Sequence, residues 1–400
     1  MAGSGRRPAT IGRMAQTPLR PTTGTRKSTR QTLPPALPRT RYPRNVAAPV
    51  LVELHRGPFV ESRHRGHVVQ VDVSGKVEHG IGDPDLVTSL RSSVKPFALA
   101  ALIDAGGVDA FHLTAPEIAV MAASHHGEDA HVRTIQAVLR RAGLTQSLLA
   151  CGTAGAPYDE VTAARLAREG ETPGAVRHNC SGFHTASLLM AKLGGWSLAD
   201  YWRPEHPTQV AQAEVVARVF GVRPQALVTA VDNCGVYTYA FPLVAVARAF
   251  VLLADPDGAA DAARRPFVPA LTRIRDAMMA APEMVGGSHD STDTLIMRAR
   301  PGVLVSKGGA EGLRGIGLLR GARGPDSRPA GVAIKIEDGD GYSRASRAVT
   351  VEALAQLGAL SGAALERLNE LHQPPTKDPR GVEIAVTRPS FRLAPLSELG

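Results

Sequence analysis

Strand-like segments lie at both ends of the ordered chain, with a long helix-rich stretch between them. Val50–Leu54, Arg65–Val73 and Lys76–Ile81 read as strands, the last two joined at Ser74-Gly75, a hairpin signal. From Ser92 to about Pro282 the periodicity is mostly helical, the last helix of the stretch running over Asp261–Ala281. Strand character returns at Gly302–Ser306, Leu313–Leu319 and Gly331–Ile336, which read as an antiparallel meander. Helices at Val351–Leu357 and Ala363–Leu371 and a strand at Val382–Val386 close the chain. Few folds satisfy this order. The simplest is an α+β (mixed α/β) architecture: one antiparallel sheet built from both chain ends, carrying terminal helices, with a central helical subdomain over residues 92–282. The cleft between sheet and helical block is the natural ligand site.

Charge separates the arm from the rest. Residues 1–47 hold ten basic residues and no acidic one, with Pro, Thr and Ser and no periodicity. Such a segment cannot bury enough apolar surface to offset its ordering entropy, so it is expected to be a disordered basic arm. Without it, 36 basic residues face 37 acidic ones. A nearly neutral domain over residues 48–400 gives no electrostatic reason to expect nucleic acid or a membrane as partner. The most apolar stretch, Ala240–Ala254, contains Pro242 and Arg248 and reads as a buried helix. Three cysteines, an odd number, argue against a disulfide framework and fit a reducing compartment. The arm shows no apolar run of a secretory signal, and the expected location is the cytoplasm.

The first crossing into the helical block carries Arg91-Ser92-Ser93-Val94-Lys95-Pro96-Phe97. Positions i and i+3 of a helix share a face, so the Ser92 hydroxyl and the Lys95 amine can meet. A serine hydroxyl becomes a good nucleophile only when a base takes its proton, and a neutral amine can do so. Alone, Ser-x-x-Lys more often marks a serine cap beside a solvated lysine, since caps are common and catalytic serines rare. Lysine usage adds weight. The chain has 39 arginines and seven lysines, and a lysine can do what an arginine cannot, which is lose its proton. Only about one ordinary lysine in 2,500 is neutral at pH 7, and half-neutrality costs about 4.6 kcal/mol. Burial and a second nearby cation are needed.

Two further segments supply candidates. Ser124-His125-His126 stands at a helix-to-loop break, and Ser306-Lys307-Gly308-Gly309 ends a strand. The order Ser-x-x-Lys, isolated Ser, Lys-Gly-Gly resembles the layout of penicillin-binding proteins and class A β-lactamases. Gly308 stands where their threonine would be, and there is no Ser-Asp-Asn. Asn179-Cys180 and Asn233-Cys234 each precede a helix, and two thiolates suit zinc; two buried structural cysteines are the other reading. Cys151 has no comparable context.

Taken together these stretches resemble the asparaginase II family, the rhizobial-type L-asparaginases. The resemblance runs from about Val50 to Gly400 and rests on Val60–His67, Arg91–Phe97, Ser124–Glu128, His178–His184, Asp232–Leu243, Lys307–Gly312 and Lys335–Gly341, in that order. It implies a serine β-lactamase-like fold, a homodimer, and hydrolysis of L-asparagine to L-aspartate and ammonia. The family's two Ser–Lys pairs match Ser92 with Lys95 and Ser124 with Lys307. Its zinc ligands are two cysteines and a lysine; the cysteines match Cys180 and Cys234, and the lysine position holds Phe183, which cannot bind a metal. Either Asp232 or His184 replaces that ligand or the site is metal-free, and no cofactor is expected to be required.

The expected mechanism starts with attack by Ser92 on the side-chain carboxamide. Lys95, kept neutral by burial and by Lys307, takes the proton, and Ser124 relays one to the leaving ammonia. Helix N-terminal amides face the oxyanion. Arg91, Asp232 and His184 are the candidate substrate-binding residues, with Arg91 suited to the α-carboxylate. Two other readings stand beside this one: a serine hydrolase of another small amide, ester or lactam, and a non-catalytic binding protein on the same scaffold.

Overall fold

The computed structural model describes residues 47–341 and 343–395, so the basic arm lies outside the described residues but for its last position. The strands are β1 (Val50–Arg56), β2 (Phe59–Asp72), β3 (Val77–Ile81), β4 (Val87–Ser89), β5 (Val228–Val231), β6 (Tyr237–Pro242), β7 (Leu304–Gly308), β8 (Leu313–Leu318), β9 (Ala330–Ile336), β10 (Pro375–Lys377), β11 (Glu383–Pro389) and β12 (Ala394–Pro395). Nine of them form one sheet along β10-β11-β1-β2-β9-β8-β7, with β3 joined to β2 and β12 to β3. Every pairing in it is antiparallel, so both chain ends build it as the element order predicts.

Strand β2 is long enough to serve two neighbourhoods. Its first half pairs with β1, and from Gly66 onward it pairs with β9. The hairpin to β3 turns at Gly75, which takes φ 81°. All of β8 is buried, as happens when both faces of a sheet are covered. The helix Leu243–Ala254 packs on β8, β9 and β2, and the helix Ala345–Gln356 on β1, β9 and β11. The apolar stretch noted in the sequence is therefore a core helix. No helix among the described residues is long and apolar enough to cross a membrane. Gly331 lets that helix approach: a Cβ there would collide with the Ala247 carbonyl oxygen. Gly331→Ala is expected to cost about 1–3 kcal/mol of stability, read as a lowered midpoint in urea.

The helical region centres on the helix Lys95–Asp104, buried from Lys95 through Leu102. It packs against the helices Ser181–Leu193, Pro207–Phe220 and Val268–Ala280. Phe97 meets Phe220 and Phe250 edge-on at 5.5 and 5.3 Å.

Three local expectations shift. The block is not purely helical, because β5 and β6 pair with β4 in a small second sheet. Tyr237-Thr238-Tyr239 is a β-favouring run whose strand character shows once β4 and β5 flank it. The helix expected over Asp261–Ala281 starts at Val268, since Pro266 and Pro269 interrupt the pattern. The helix expected from Val351 starts at Ala345, where the Asp340 carboxylate accepts from the Ala345 and Ser346 N–H groups at 3.0 and 2.7 Å.

Candidate active site

Ser92 stands in the short turn Arg91–Val94 that feeds the helix Lys95–Asp104, with Pro96 in the first turn of that helix. Arg91, just before the serine, takes φ 47°, the left-handed region. For a residue with a Cβ this costs about 1–2 kcal/mol and must be held. The small sheet holds it. Leu90 N–H donates to Tyr239 O at 2.8 Å and Arg91 N–H to Thr238 Oγ1 at 2.9 Å. The Arg91 guanidinium binds Asp232 through Nε at 2.9 Å and Nη2 at 2.7 Å. On the other side Gly309, at the end of β7, lies so close that a Cβ would sit 2.5 Å from Leu90 O. Only glycine allows the strand end to press on the serine turn.

Three of the four side chains named from the sequence, Lys95, Ser124 and Lys307, meet in hydrogen bonds; Ser92 lines the same cleft, and its hydroxyl makes no hydrogen bond to Lys95. Lys95 Nζ donates to Ala123 O at 2.8 Å, Ser124 Oγ at 3.3 Å and Cys180 Sγ at 3.2 Å. Lys307 Nζ reaches Ser124 Oγ at 3.0 Å and Gly308 O at 2.5 Å. One hydroxyl thus bridges two lysines that are 3% and 1% exposed. Ser92, Ser124 and Lys307 open onto one cleft of about 420 Å³, also lined by Asn179, Tyr158, His126 and Glu311. Burial, with Lys95 and Arg314 as neighbouring cations, pushes the pKa of Lys307 down to about 7 against the pull of Asp293. The sequence singles out Lys95 as the amine that must be neutral, yet the lysine brought to the neutral range is Lys307.

The residues expected to hold substrate do not line this cleft. Arg91 and Asp232 are paired with each other. His184 is fully buried, with Nδ1 2.7 Å from Tyr201 Oη, and burial lowers its pKa to about 4.

The metal expectation meets the same kind of obstacle. Cys180 and Cys234 are buried free thiols, and Cys180 Sγ lies 3.2 Å from Lys95 Nζ. The influence of the Cys234 thiol, with Lys95 nearby, holds Cys180 well below the ordinary thiol pKa, and Cys180 in turn pushes Cys234 up. His184 Nε2 is buried without a hydrogen-bond partner, but it does not join the two thiols in a ligand cluster. Among the described residues no three His, Cys, Asp or Glu side chains stand together where a metal could be held. Phe183 presents its ring to Lys95, 6.0 Å from the amine to the centroid. The residues present do not fit the zinc site implied by the resemblance.

Two charged residues at this site, Asp293 and Arg314, are not marked as functional by the sequence pattern. Asp293, in the first turn of the helix Thr292–Ala299, is buried at the cleft wall. It accepts from Ser306 Oγ at 2.6 Å, from Gly308 N–H at 2.8 Å and from the Arg314 guanidinium. Its only local signal is a capped helix start, because its partners lie on strands β7 and β8.

The family model L-asparaginase II matches residues 52–389. The chain belongs to the asparaginase II family. No curated protein matches this asparaginase II family member. Among solved structures it is similar to a protein called Mglu. One such structure is 13% identical with a TM-score of 0.34, covering 74% of this chain and 68% of that one. Another, Mglu in its L-glutamate binding form, is 14% identical with a TM-score of 0.33, covering 75% of this chain and 61% of that one. Likeness at that level carries no argument about the site of this asparaginase II chain.

Proposed function

We propose that the protein is an L-asparaginase that hydrolyses L-asparagine to L-aspartate and ammonia through an acyl-enzyme on Ser92. We assign it a serine β-lactamase-like fold, an assignment supported by the two-ended antiparallel sheet with a lysine-bearing strand beside the Ser-x-x-Lys turn. Family membership supports the amidohydrolase class. The observation that carries the mechanism is the bridge of Ser124 Oγ between Lys95 and Lys307, beside Ser92 in one cleft.

The steps balance in protons. Lys307 enters as the neutral amine. Lys95 passes a proton through the Ser124 hydroxyl to Lys307, and takes the Ser92 proton as Oγ bonds to the carboxamide carbon. When the tetrahedral intermediate collapses, the C–N bond breaks and the network returns one proton to the departing nitrogen, releasing ammonia. Water then attacks the ester, gives a proton to the network, and Ser92 is restored with aspartate released. Asn179, Tyr158 and Glu311 are the cleft groups available to the amino-acid end of the substrate. Arg91 and Asp232 hold the nucleophile turn in this scheme, and His184 supports the helix behind it. No metal enters any step.

The deciding measurement is ammonia release from L-asparagine by the purified protein. Release from another small amide, or hydrolysis of an ester or lactam, with none from asparagine would replace this reading by the broader hydrolase. No hydrolysis of any of them would leave the binding protein. Because Lys307 must be neutral, kcat/KM is expected to fall about tenfold per pH unit below about pH 7, the pKa to which burial brings that lysine. Dialysis against EDTA is expected to leave the rate unchanged, with zinc well below one per chain by elemental analysis.

A further inference from the structure

We infer that Asp293 is a positioning residue for Lys307: it fixes the strand end that carries the lysine and sets its carboxylate charge against the cations beside that lysine. The inference deepens the proposed reading of the site and rests on it for the kinetic consequence only.

The geometry of β7 comes first. Successive side chains of a strand point to opposite faces. Ser306 turns its hydroxyl to Asp293, while Lys307 turns its amine to Ser124. Asp293 also accepts the Gly308 N–H. One carboxylate therefore grips the residues on both sides of Lys307. The lysine keeps few degrees of freedom, and its backbone oxygen is held in turn by Ser93 Oγ at 3.0 Å. Arg314, 8% exposed on β8, closes the arrangement from the neighbouring strand.

The charges come second. The groups that face Lys307 are Lys95 at the start of its helix, Arg314 on β8, Asp293 on the helix Thr292–Ala299 and Cys180 at the cap of the helix Ser181–Leu193. Two are cations, and both weaken the hold of Lys307 on its proton, as burial does. Asp293 is the largest opposing influence. Burial pushes the Asp293 carboxyl up, but Arg314 and Lys307 outweigh it and hold the group below the usual carboxylate range, so it stays ionised. Removing the charge leaves Lys307 facing cations in a buried site.

Asn is nearly isosteric with Asp and keeps one acceptor, whereas Glu keeps the charge and displaces the grip. The experiment is 15N NMR titration of the lysine amines, tractable because the chain has seven lysines, with Lys307→Met assigning the signal. In D293N the Lys307 midpoint is expected to fall by at least about one pH unit, a tenfold weaker proton affinity. In D293E it is expected to stay within a few tenths of the wild type. R314Q, which removes a facing cation and frees Asp293, is expected to move it upward, and this serves if D293N does not fold. An unmoved midpoint in folded D293N, or a fall in R314Q, overturns the inference. In the pH profile of kcat/KM the acid limb should follow the midpoint in each variant. If the wild type hydrolyses nothing, the proposed function fails while the titration still decides the role of Asp293.

Discussion

Ser92→Ala is expected to lower ammonia release from L-asparagine by about 10⁴-fold or more, the scale seen when a covalent nucleophile is removed. The size follows from the fold around the serine. Ser92 sits in a turn whose preceding residue has φ 47° and is pinned from β6 and from Asp232. Strain of that kind persists only where the surroundings over-determine it. Alanine keeps the turn, so the variant should unfold at the same urea concentration as the wild type. The serine beside it is a built-in control, because Ser124→Ala removes the proton bridge while leaving the nucleophile. It should lose about 10²–10³-fold, in the range for lost proton transfer. Mass spectrometry of a rapidly quenched reaction should find the acyl group on the peptide carrying Ser92. Acylation of Ser124 instead, or S124A falling as far as S92A with S92A still active, would reassign the nucleophile.

The second large effect belongs to Lys307. Lys307→Met keeps the length and volume of the side chain and removes the amine. The expected loss is about 10³-fold in kcat/KM, with the acid limb near pH 7 gone. Lys307→Arg is expected to be as inactive as the methionine variant, because an arginine does not give up its proton. Stability should move the other way. A buried amine is costly to keep, and methionine in its place removes that cost while taking one donor from Gly308 O, so the variant is expected to be at least as stable as the wild type. Ser124 loses one donor but keeps Lys95 at 3.3 Å. A methionine variant that unfolds more easily than the wild type would mean that Lys307 is structural, and its lost activity would then carry no mechanistic weight.

Much of this was legible before any coordinates. The sheet from both ends follows from element order, since strands as far apart in the chain as Val77–Ile81 and Leu304–Gly308 can share an antiparallel sheet only if the block between them folds aside. Helical spacing marked Ser92 and Lys95 as a pair, but the fold turns the Lys95 amine to Ala123 O, Ser124 Oγ and Cys180 Sγ, which spacing does not record. Ser124 and Lys307 needed the order of motifs, which spacing alone could not turn into contact. What escaped were groups with purely non-local partners. Asp293 and Arg314 are 21 positions apart and look like two surface charges in the chain. Thr238 reads as one threonine among many until β6 brings it to Arg91 N–H. Asp232 and His184 carry chemistry suited to a ligand, and tertiary packing pairs both with other residues.

The sequence by itself determined the class of fold and the family, and it named Ser92, Lys95, Ser124 and Lys307, because each is written in residue type, period or order. Tertiary structure alone decided which lysine holds its proton loosely, and that the two thiols lack a third ligand. Those properties depend on burial and on charges arriving from four separate elements around Lys307. A pKa is set by what surrounds a group in space, and no local pattern around Lys307 records it.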